Sequence, residues 1–366
     1  MTQAFDVIVV GGGPVGASCA RELAQSGRRV LLFERGENRG EGWRAAAGML
    51  AAQVGATGED PLFELGLAGR ELLAEQAPML LDQTGIDVGF WQEGIARVAA
   101  DEADAAQLRS QVAWQRQQGH ICDWFDAGEV KTRWPWLGPT HGAFWASRDA
   151  AIHPVKLVEA LLKDAEKLGV VIVRDSVVAV ARRGDRVTGV MARESYSAPD
   201  VVIAGGAWSG QIGGLPRPLT VEPMRGQMAA LAWPPGVAPA VVMGKSCYLV
   251  ARKGEAVVGS TIEHAGFAPE VTAAGLAEIF TGVSALCPSL AKGEVLRTWA
   301  GLRPLSPDGL PIIGREPRLT GLWYATAHGR NGILLSGITG VLITRLLSGE
   351  NEVEHLAPLR PERFWE

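Results

Sequence analysis

No uninterrupted apolar run among the 366 residues is long enough to cross a bilayer, which excludes a helical membrane span. Strand-like apolar sequence begins within a few residues of the start and leaves no room for a leader peptide, so a cytoplasmic location is expected. Basic charge is not in surplus. Lys and Arg number 35 against 40 Asp and Glu, a net charge of −5, and no basic block occurs. Neither nucleic acid nor an anionic membrane surface is therefore an expected partner. Cysteine is scarce: Cys19, Cys122, Cys247 and Cys287 are scattered without a CxxC pair. That excludes a disulfide framework and points to buried, reduced thiols. Histidine is scarce too. His153, His264 and His328 lie far from one another and from any cysteine, so no metal centre is expected. No internal repeat, low-complexity tract or long linker is present.

Glycine, by contrast, is abundant: 46 of 366 residues, above the usual ~7%. A backbone that passes close to a flat ligand at several places needs such residues. The length allows two domains, each with a sizeable core. The most telling stretch is Val7-Ile8-Val9-Val10-Gly11-Gly12-Gly13-Pro14-Val15-Gly16, an apolar strand running into a glycine turn and then a helix. Glu34 closes the next apolar run, Val30-Leu31-Leu32-Phe33. This is the dinucleotide fingerprint in its proper context. Gly11 permits the tight turn, Gly13 lets the backbone approach a pyrophosphate, and Gly16 allows helix and strand to pack closely. The helix N-terminus offers N–H groups and a positive dipole end to the phosphates, and Glu34 is placed for ribose hydroxyls. The fingerprint alone does not separate FAD from NAD.

Along the chain, residues 4–10 read as a first strand, 15–26 as its crossover helix with Gly27 as the stop, and 29–34 as a second strand. Residues 61–83 are helical in period and end at Gly85; 86–98 read as strands and 103–118 as a polar helix. Residues 155–168 are amphipathic, with Pro154 in the first turn and His153 as a cap. Short strands follow at 170–173, 177–181 and 186–192, the last two joined by a Gly184-Asp185 turn. Residues 200–204 form an apolar strand ending in Gly205-Gly206. Residues 221–231, 241–250 and 256–260 suggest a larger antiparallel sheet, interrupted by a helix at 272–285. A strand at 323–326 and an apolar helix at 333–347 close the chain. Parallel signals at the beginning, middle and end, with antiparallel ones between, predict a discontinuous cofactor domain with a substrate domain inserted twice. Most of the twelve tryptophans read as packing; Trp134-Pro135-Trp136 and Trp145 form a candidate oligomer contact, with core packing the plainer alternative.

Three later segments sharpen the cofactor. The strand 201–204 ends in glycines that can pass beside a nucleotide. Gly301-Leu302-Arg303-Pro304 precedes Asp308-Gly309-Leu310-Pro311. His328-Gly329-Arg330-Asn331-Gly332-Ile333 is expected to open the last helix, aiming N–H groups at a ligand and favouring an anionic reduced flavin. Together with Ala45-Ala46-Ala47-Gly48-Met49-Leu50, the run 258–266 (Val-Gly-Ser-Thr-Ile-Glu-His-Ala-Gly), Trp299-Ala300-Gly301-Leu302-Arg303-Pro304 and Arg330-Asn331-Gly332-Ile333-Leu334, these residues carry a likeness. The chain resembles the glycine oxidase/D-amino-acid oxidase family of FAD enzymes nearly end to end, and most of all the bacterial glycine oxidases of thiamine biosynthesis.

That resemblance implies an α/β plus α+β fold: a Rossmann-type FAD-binding domain (1–84, 150–220 and 297–366) with an inserted antiparallel-sheet substrate domain (85–149 and 221–296). It implies non-covalent FAD, held by Gly11, Gly13, Pro14, Val15, Gly16, Glu34, Arg35, Arg44, Ala46, Ala47, Gly48, Met49, Val177, Gly205, Gly206 and the turn His328, Gly329, Arg330, Asn331, Gly332 and Ile333. Arg303 stands where an arginine pairs with the substrate carboxylate, Tyr248 where a tyrosine hydroxyl touches it, and Arg330 at a second active-site position. Met49 and Ile262 match pocket-lining positions. The implied reaction is oxidative deamination of glycine, other small amines or D-amino acids. Hydride passes from Cα to flavin N5, O2 is reduced to H2O2, and water hydrolyses the imine. A guanidinium forks onto a carboxylate and fixes its orientation. Hydride transfer needs no side-chain base, so the absence of a His/Asp pair is no objection. A small amino acid or amine, O2 and a second copy of the chain in a homo-oligomer are the expected partners.

The chain departs from the pattern at three places. Gly42-Trp43-Arg44 replaces small hydroxyl residues that help hold the FAD phosphates, and Arg44 is the substitute donor. Gly329 stands where an aromatic ring is common, and Ile262 replaces a methionine or leucine. Two other enzyme readings stay open, a D-amino-acid dehydrogenase with a quinone acceptor and a sarcosine-type secondary-amine oxidase. So does a subunit that holds FAD over a silent site. Without the resemblance, Arg303 would read as an ion-pair partner, Tyr248 as a half-buried strand residue and His328 as a satisfied turn histidine.

Overall fold

The computed structural model describes residues 4–36, 39–56, 58, 61–350 and 355–365. The first of two main sheets has six strands, in the order Ile312–Arg315, Leu322–Thr326, Asp200–Ile203, Val7–Val10, Val30–Phe33, Val171–Val173. All pairings are parallel except that of the first two strands. The central strands are apolar throughout because both faces are covered. Val7, Val9, Val30 and Leu32 share a core with the helices Pro14–Gln25, Pro154–Lys167 and Ser336–Leu347. Ile8, Val10, Leu31 and Phe33 face the other way, onto a three-stranded antiparallel layer of Ala179–Arg183, Arg186–Met191 and Ser195–Ser197. His153 caps Pro154–Lys167, its Nδ1 accepting from the Lys156 N–H at 3.4 Å.

The second sheet has eight strands, in the order Val295–Leu305, Glu222–Ala232, Glu255–Gly259, Tyr248–Arg252, Val241–Met243, Ile95–Val98, Ala143–Ala146, Asp123–Phe125. It is antiparallel apart from the pairing of 95–98 with 241–243. One face packs on the helix Ala273–Leu286 through Ile279, Val283 and Leu286. The opposite face carries Met228, Tyr248, Met243 and Trp299. The mixture of a parallel and an antiparallel sheet is the fold class expected from the sequence. Trp134 and Trp145 are buried with ring centroids 5.4 Å apart, and Trp136 meets Trp233 edge-on at 5.1 Å. These tryptophans fill the second core.

Several local expectations are corrected. Within 86–98 only Ile95–Val98 is a strand, because Gly89 and Gly94 turn the backbone left-handed. Residues 241–250 form two strands, with a turn closed by Gly244 N–H donating to Cys247 O at 2.7 Å. The last helix does not begin at 328–333; Gly329–Asn331 is a single 3-10 turn and the α-helix starts at Ser336. Gly329 sits at φ 54° and Ala327 at φ 60°, which interrupts right-handed helical geometry there. The boundary expected at 297 falls inside Val295–Leu305, which pairs with 222–232 along nearly its whole length. The four cysteines are free and buried. No helix among the described residues is long and apolar enough to cross a membrane, and no cluster of three or more metal-ligating side chains occurs among them.

Candidate active site

The strand Val7–Val10 delivers Gly11 at φ 107°, a conformation closed to other residues at low cost. A Cβ at Gly11 would lie 2.4 Å from Ala204 O, and one at Gly16 only 1.8 Å from Gly11 O. Strand, turn and helix therefore pack at a distance only glycine permits. At Gly13 the Cβ position is open except for Trp43 Cδ1 at 3.3 Å. Glu34 accepts from Gly12 N–H at 2.8 Å and from Gly36 N–H at 2.9 Å, which holds its carboxylate at the turn. Arg35 lies over the Trp208 ring at 3.9 Å and donates to Glu41 at 2.7 Å.

From this turn a cavity of about 1120 Å³ runs to the second sheet. Its middle wall is the segment 45–49. Gly48, at φ 85°, presses against Ile152 O, where a Cβ would come within 1.9 Å. Two side chains from the second sheet bind this segment: Arg252 donates to Ala47 O at 3.1 Å and Ile152 O at 2.8 Å, and Trp299 Nε1 donates to Ala45 O at 3.1 Å.

Arg303 enters from the strand Val295–Leu305 and lies across Gly226, where a Cβ would meet its guanidinium at 2.2–2.4 Å. It donates to Ser260 Oγ at 2.6 Å and Thr261 O at 3.2 Å, and has no carboxylate partner among the described residues. Tyr248 donates to Met228 Sδ at 3.3 Å. Burial pushes its phenol up, against the opposing pull of the Arg303 charge, so the hydroxyl stays protonated and able to donate. His328 is fully buried, its Nε2 3.0 Å from Thr339 Oγ1, and burial pushes its ring down to about 3. It is a neutral turn residue near neutral pH.

The cavity wall brings together Arg303, Tyr248, Arg330, Met49, Ile262, Gly11, Gly13, Pro14, Val15, Glu34, Arg35, Ala46, Ala47, Gly48, Val177, Gly205, Gly206 and all of His328–Ile333. Ile262 is 76% exposed, so it stands at the mouth. Two expected cofactor contacts lie off the wall. Gly16 serves the close packing described above. Arg44 stacks on Trp43 at 4.2 Å with Nε 3.7 Å from Glu41, which draws it aside. Arg330 reaches the turn at 54–55 and donates to Gly55 O at 2.8 Å.

The family model described as FAD dependent oxidoreductase matches residues 6–346. The chain belongs to this family. It is 33% identical to a glycine oxidase of Geobacillus kaustophilus over 98% of this chain and 97% of that protein. The crystal structure of the glycine oxidase from that organism superposes with a TM-score of 0.91 over 98% of both chains. The hydrogen cyanide synthase subunit HcnC of Pseudomonas aeruginosa is 29% identical over 100% of this chain and 97% of its own length.

This oxidoreductase depends on FAD, and the residues present fit it. The side-chain-free Gly13, the Glu34 carboxylate and the glycines at 205–206 line one continuous space with Arg303 and Tyr248. Sequence reasoning missed Trp208, Met224, Gly226, Met228 and Met243 on this wall. None carries a local motif. The cross-strand pairs Met224 with Arg303, Gly226 with Gly301, Met228 with Gly259 and Met243 with Tyr248 place the four strand residues, and Trp208 lies on the 3-10 turn Gly206–Gln211.

Proposed function

We propose that this oxidoreductase deaminates glycine and other small amines or D-amino acids, with Arg303 holding the substrate carboxylate. The observation that carries the reading is a guanidinium on the cavity wall without a carboxylate partner among the described residues, its donors steadied by Ser260 and Thr261. Such a charge calls for an anion, and a bidentate carboxylate matches its fork. The Tyr248 hydroxyl stands beside it as a second donor. Bound FAD would supply the redox chemistry, as acceptor of the Cα hydride with O2 as the final oxidant, so that the products would be H2O2 and, after hydrolysis of the imine, a 2-oxo acid. The protein's part is positioning: two polar groups grip the acid, and the Met49, Met228 and Met243 side chains give the amine carbon an apolar, water-poor surround.

The FAD is non-covalent on our reading. Cys247 is the one cysteine on the cavity wall among the described residues, and burial pushes its thiol up to about 12, far from a reactive thiolate. The deciding experiment is a peroxide assay across glycine, sarcosine and several D-amino acids, with anaerobic reduction followed by air. Peroxide with glycine or sarcosine and rapid reoxidation are expected; fast reduction with slow reoxidation moves the assignment to a quinone-linked dehydrogenase. Acid precipitation should leave the yellow colour in the supernatant, and colour in the pellet excludes non-covalent binding.

A further inference from the structure

We propose that Arg330, reinforced by Arg97, forms a second anion subsite in the substrate cavity, which selects amines bearing a second acidic group over neutral amines of the same shape. This rests on Arg303 as the anchor for the first carboxylate.

The placement follows from register. Met228 pairs with Gly259, Gly259 with Tyr248, Tyr248 with Met243, and Met243 with Arg97. Directly opposed residues project from the same face of a sheet, so Arg97 shares the face that carries Met228, Tyr248 and Met243. Two strand spacings, about 10 Å of backbone, separate Tyr248 from Arg97. Arg97 donates to Val54 O at 3.2 Å, and Arg330 donates to the next carbonyl, Gly55 O, at 2.8 Å. The two guanidiniums thus converge on one turn. Arg330 lies on the cavity wall, and Arg97, off the wall, is near enough to feel its charge.

Neither guanidinium has an ion pair with any described residue. The carboxylate that acts on Arg97 from nearby is that of Asp104, which lies outside ion-pair range and is held by Ala100 N–H at 3.0 Å. Burial first, and the Arg330 charge after it, push Arg97 below its ordinary value, yet a guanidinium remains charged near neutral pH. Arg97 is half-buried and Arg330 exposed on the cavity wall, and two like charges held close to each other repel until an anion binds nearby. Arg330 has N–H groups left over after its one carbonyl bond, enough to receive a second carboxylate, and Arg97, off the wall, adds its charge from nearby. With glycine as substrate this end of the cavity takes water. With an N-carboxymethyl amine or an acidic amino acid, the second acid group reaches it while Arg303 and Tyr248 keep the first.

The test uses the FAD-loaded enzyme and two inert ligands, read by perturbation of the flavin absorption spectrum. Oxydiacetate carries two carboxylates; methoxyacetate is nearly its shape with one. Oxydiacetate should bind at least about tenfold tighter at low salt, the scale of one charge-assisted hydrogen bond, and the ratio should shrink as salt rises. In Arg97→Met the ratio should fall several-fold, and Arg97→Lys should restore most of it. Equal binding of the two ligands to the unmodified enzyme, or a ratio unchanged in Arg97→Met, overturns the subsite. Should Arg97→Met lose its FAD, the unmodified enzyme and its salt dependence still decide. Failure of the proposed reaction reads differently: neither ligand then perturbs the spectrum and glycine yields no peroxide.

Discussion

Arg303 is held by two neutral oxygens and faces a cavity, a placement that leaves its charge for a ligand. Arg303→Ala should retain FAD yet lose about 2–5 kcal/mol of transition-state binding, as when one member of a buried charge pair is truncated. The check is kcat/KM for the best amine, and an unchanged value removes Arg303 from the site. Gly226 tests the same point without touching the arginine. Alanine there would meet the guanidinium at 2.2–2.4 Å, and the arginine's flexible end is what must shift. A displacement of about 1 Å is enough to cost roughly 100-fold in rate, so Gly226→Ala should fold, bind FAD and turn over slowly. Full activity would show that Arg303 finds an equivalent position.

At the level of elements, the turn 328–333 is where geometry and electrostatics meet. His328 is pinned beneath it against Thr339 and is neutral because burial pushes its value down to about 3. In the unfolded chain the same ring titrates near about 6.5. The unfolded state therefore binds more protons as pH falls below that value, and stability is lost progressively between there and the folded value. The loss is up to about 1.4 kcal/mol per pH unit. Denaturant unfolding between neutral pH and about pH 5 should show this slope in the native protein and a flatter one in His328→Gln. Identical slopes would mean that the ring is solvated in solution.

The whole molecule is two sheets joined across a cavity, and the joint itself is polar. Arg252 from the eight-stranded sheet satisfies Ala47 O and Ile152 O, and Trp299 satisfies Ala45 O. Burial pushes the Arg252 guanidinium down, so the two carbonyl bonds offset a real desolvation cost. Arg252→Met should orphan both carbonyls, at about 1–3 kcal/mol for each one left dry, and loosen the cavity wall at 45–49. Lower thermal stability with faster FAD release on dilution is expected. An unchanged melting temperature would mean that water replaces the guanidinium.

The glycine turn, its flanking strands and helix, and the acid at Glu34 were legible in the sequence because each is a local demand: a φ only glycine tolerates, a strand with both faces covered, a cap before a proline. Arg303, Tyr248 and Arg330 were legible through family likeness, not through local pattern. Residues 86–98 and 328–333 were misread because isolated apolar periodicity does not register a left-handed glycine such as Gly94 or Gly329. The rest of the cavity wall belongs to the tertiary structure alone. Gly226, Met228 and Met243 become neighbours of the substrate site through strand pairing between segments distant in sequence. Arg44 stacks on Trp43 and lies 3.7 Å from Glu41, an i,i+3 neighbour on one helical turn, and does not line the cavity. Local backbone conformation is set by a few adjacent residues and can be read one segment at a time; the meeting of Arg97 with Arg330 depends on which strands pair and in which register, a choice made by the packing of the whole chain.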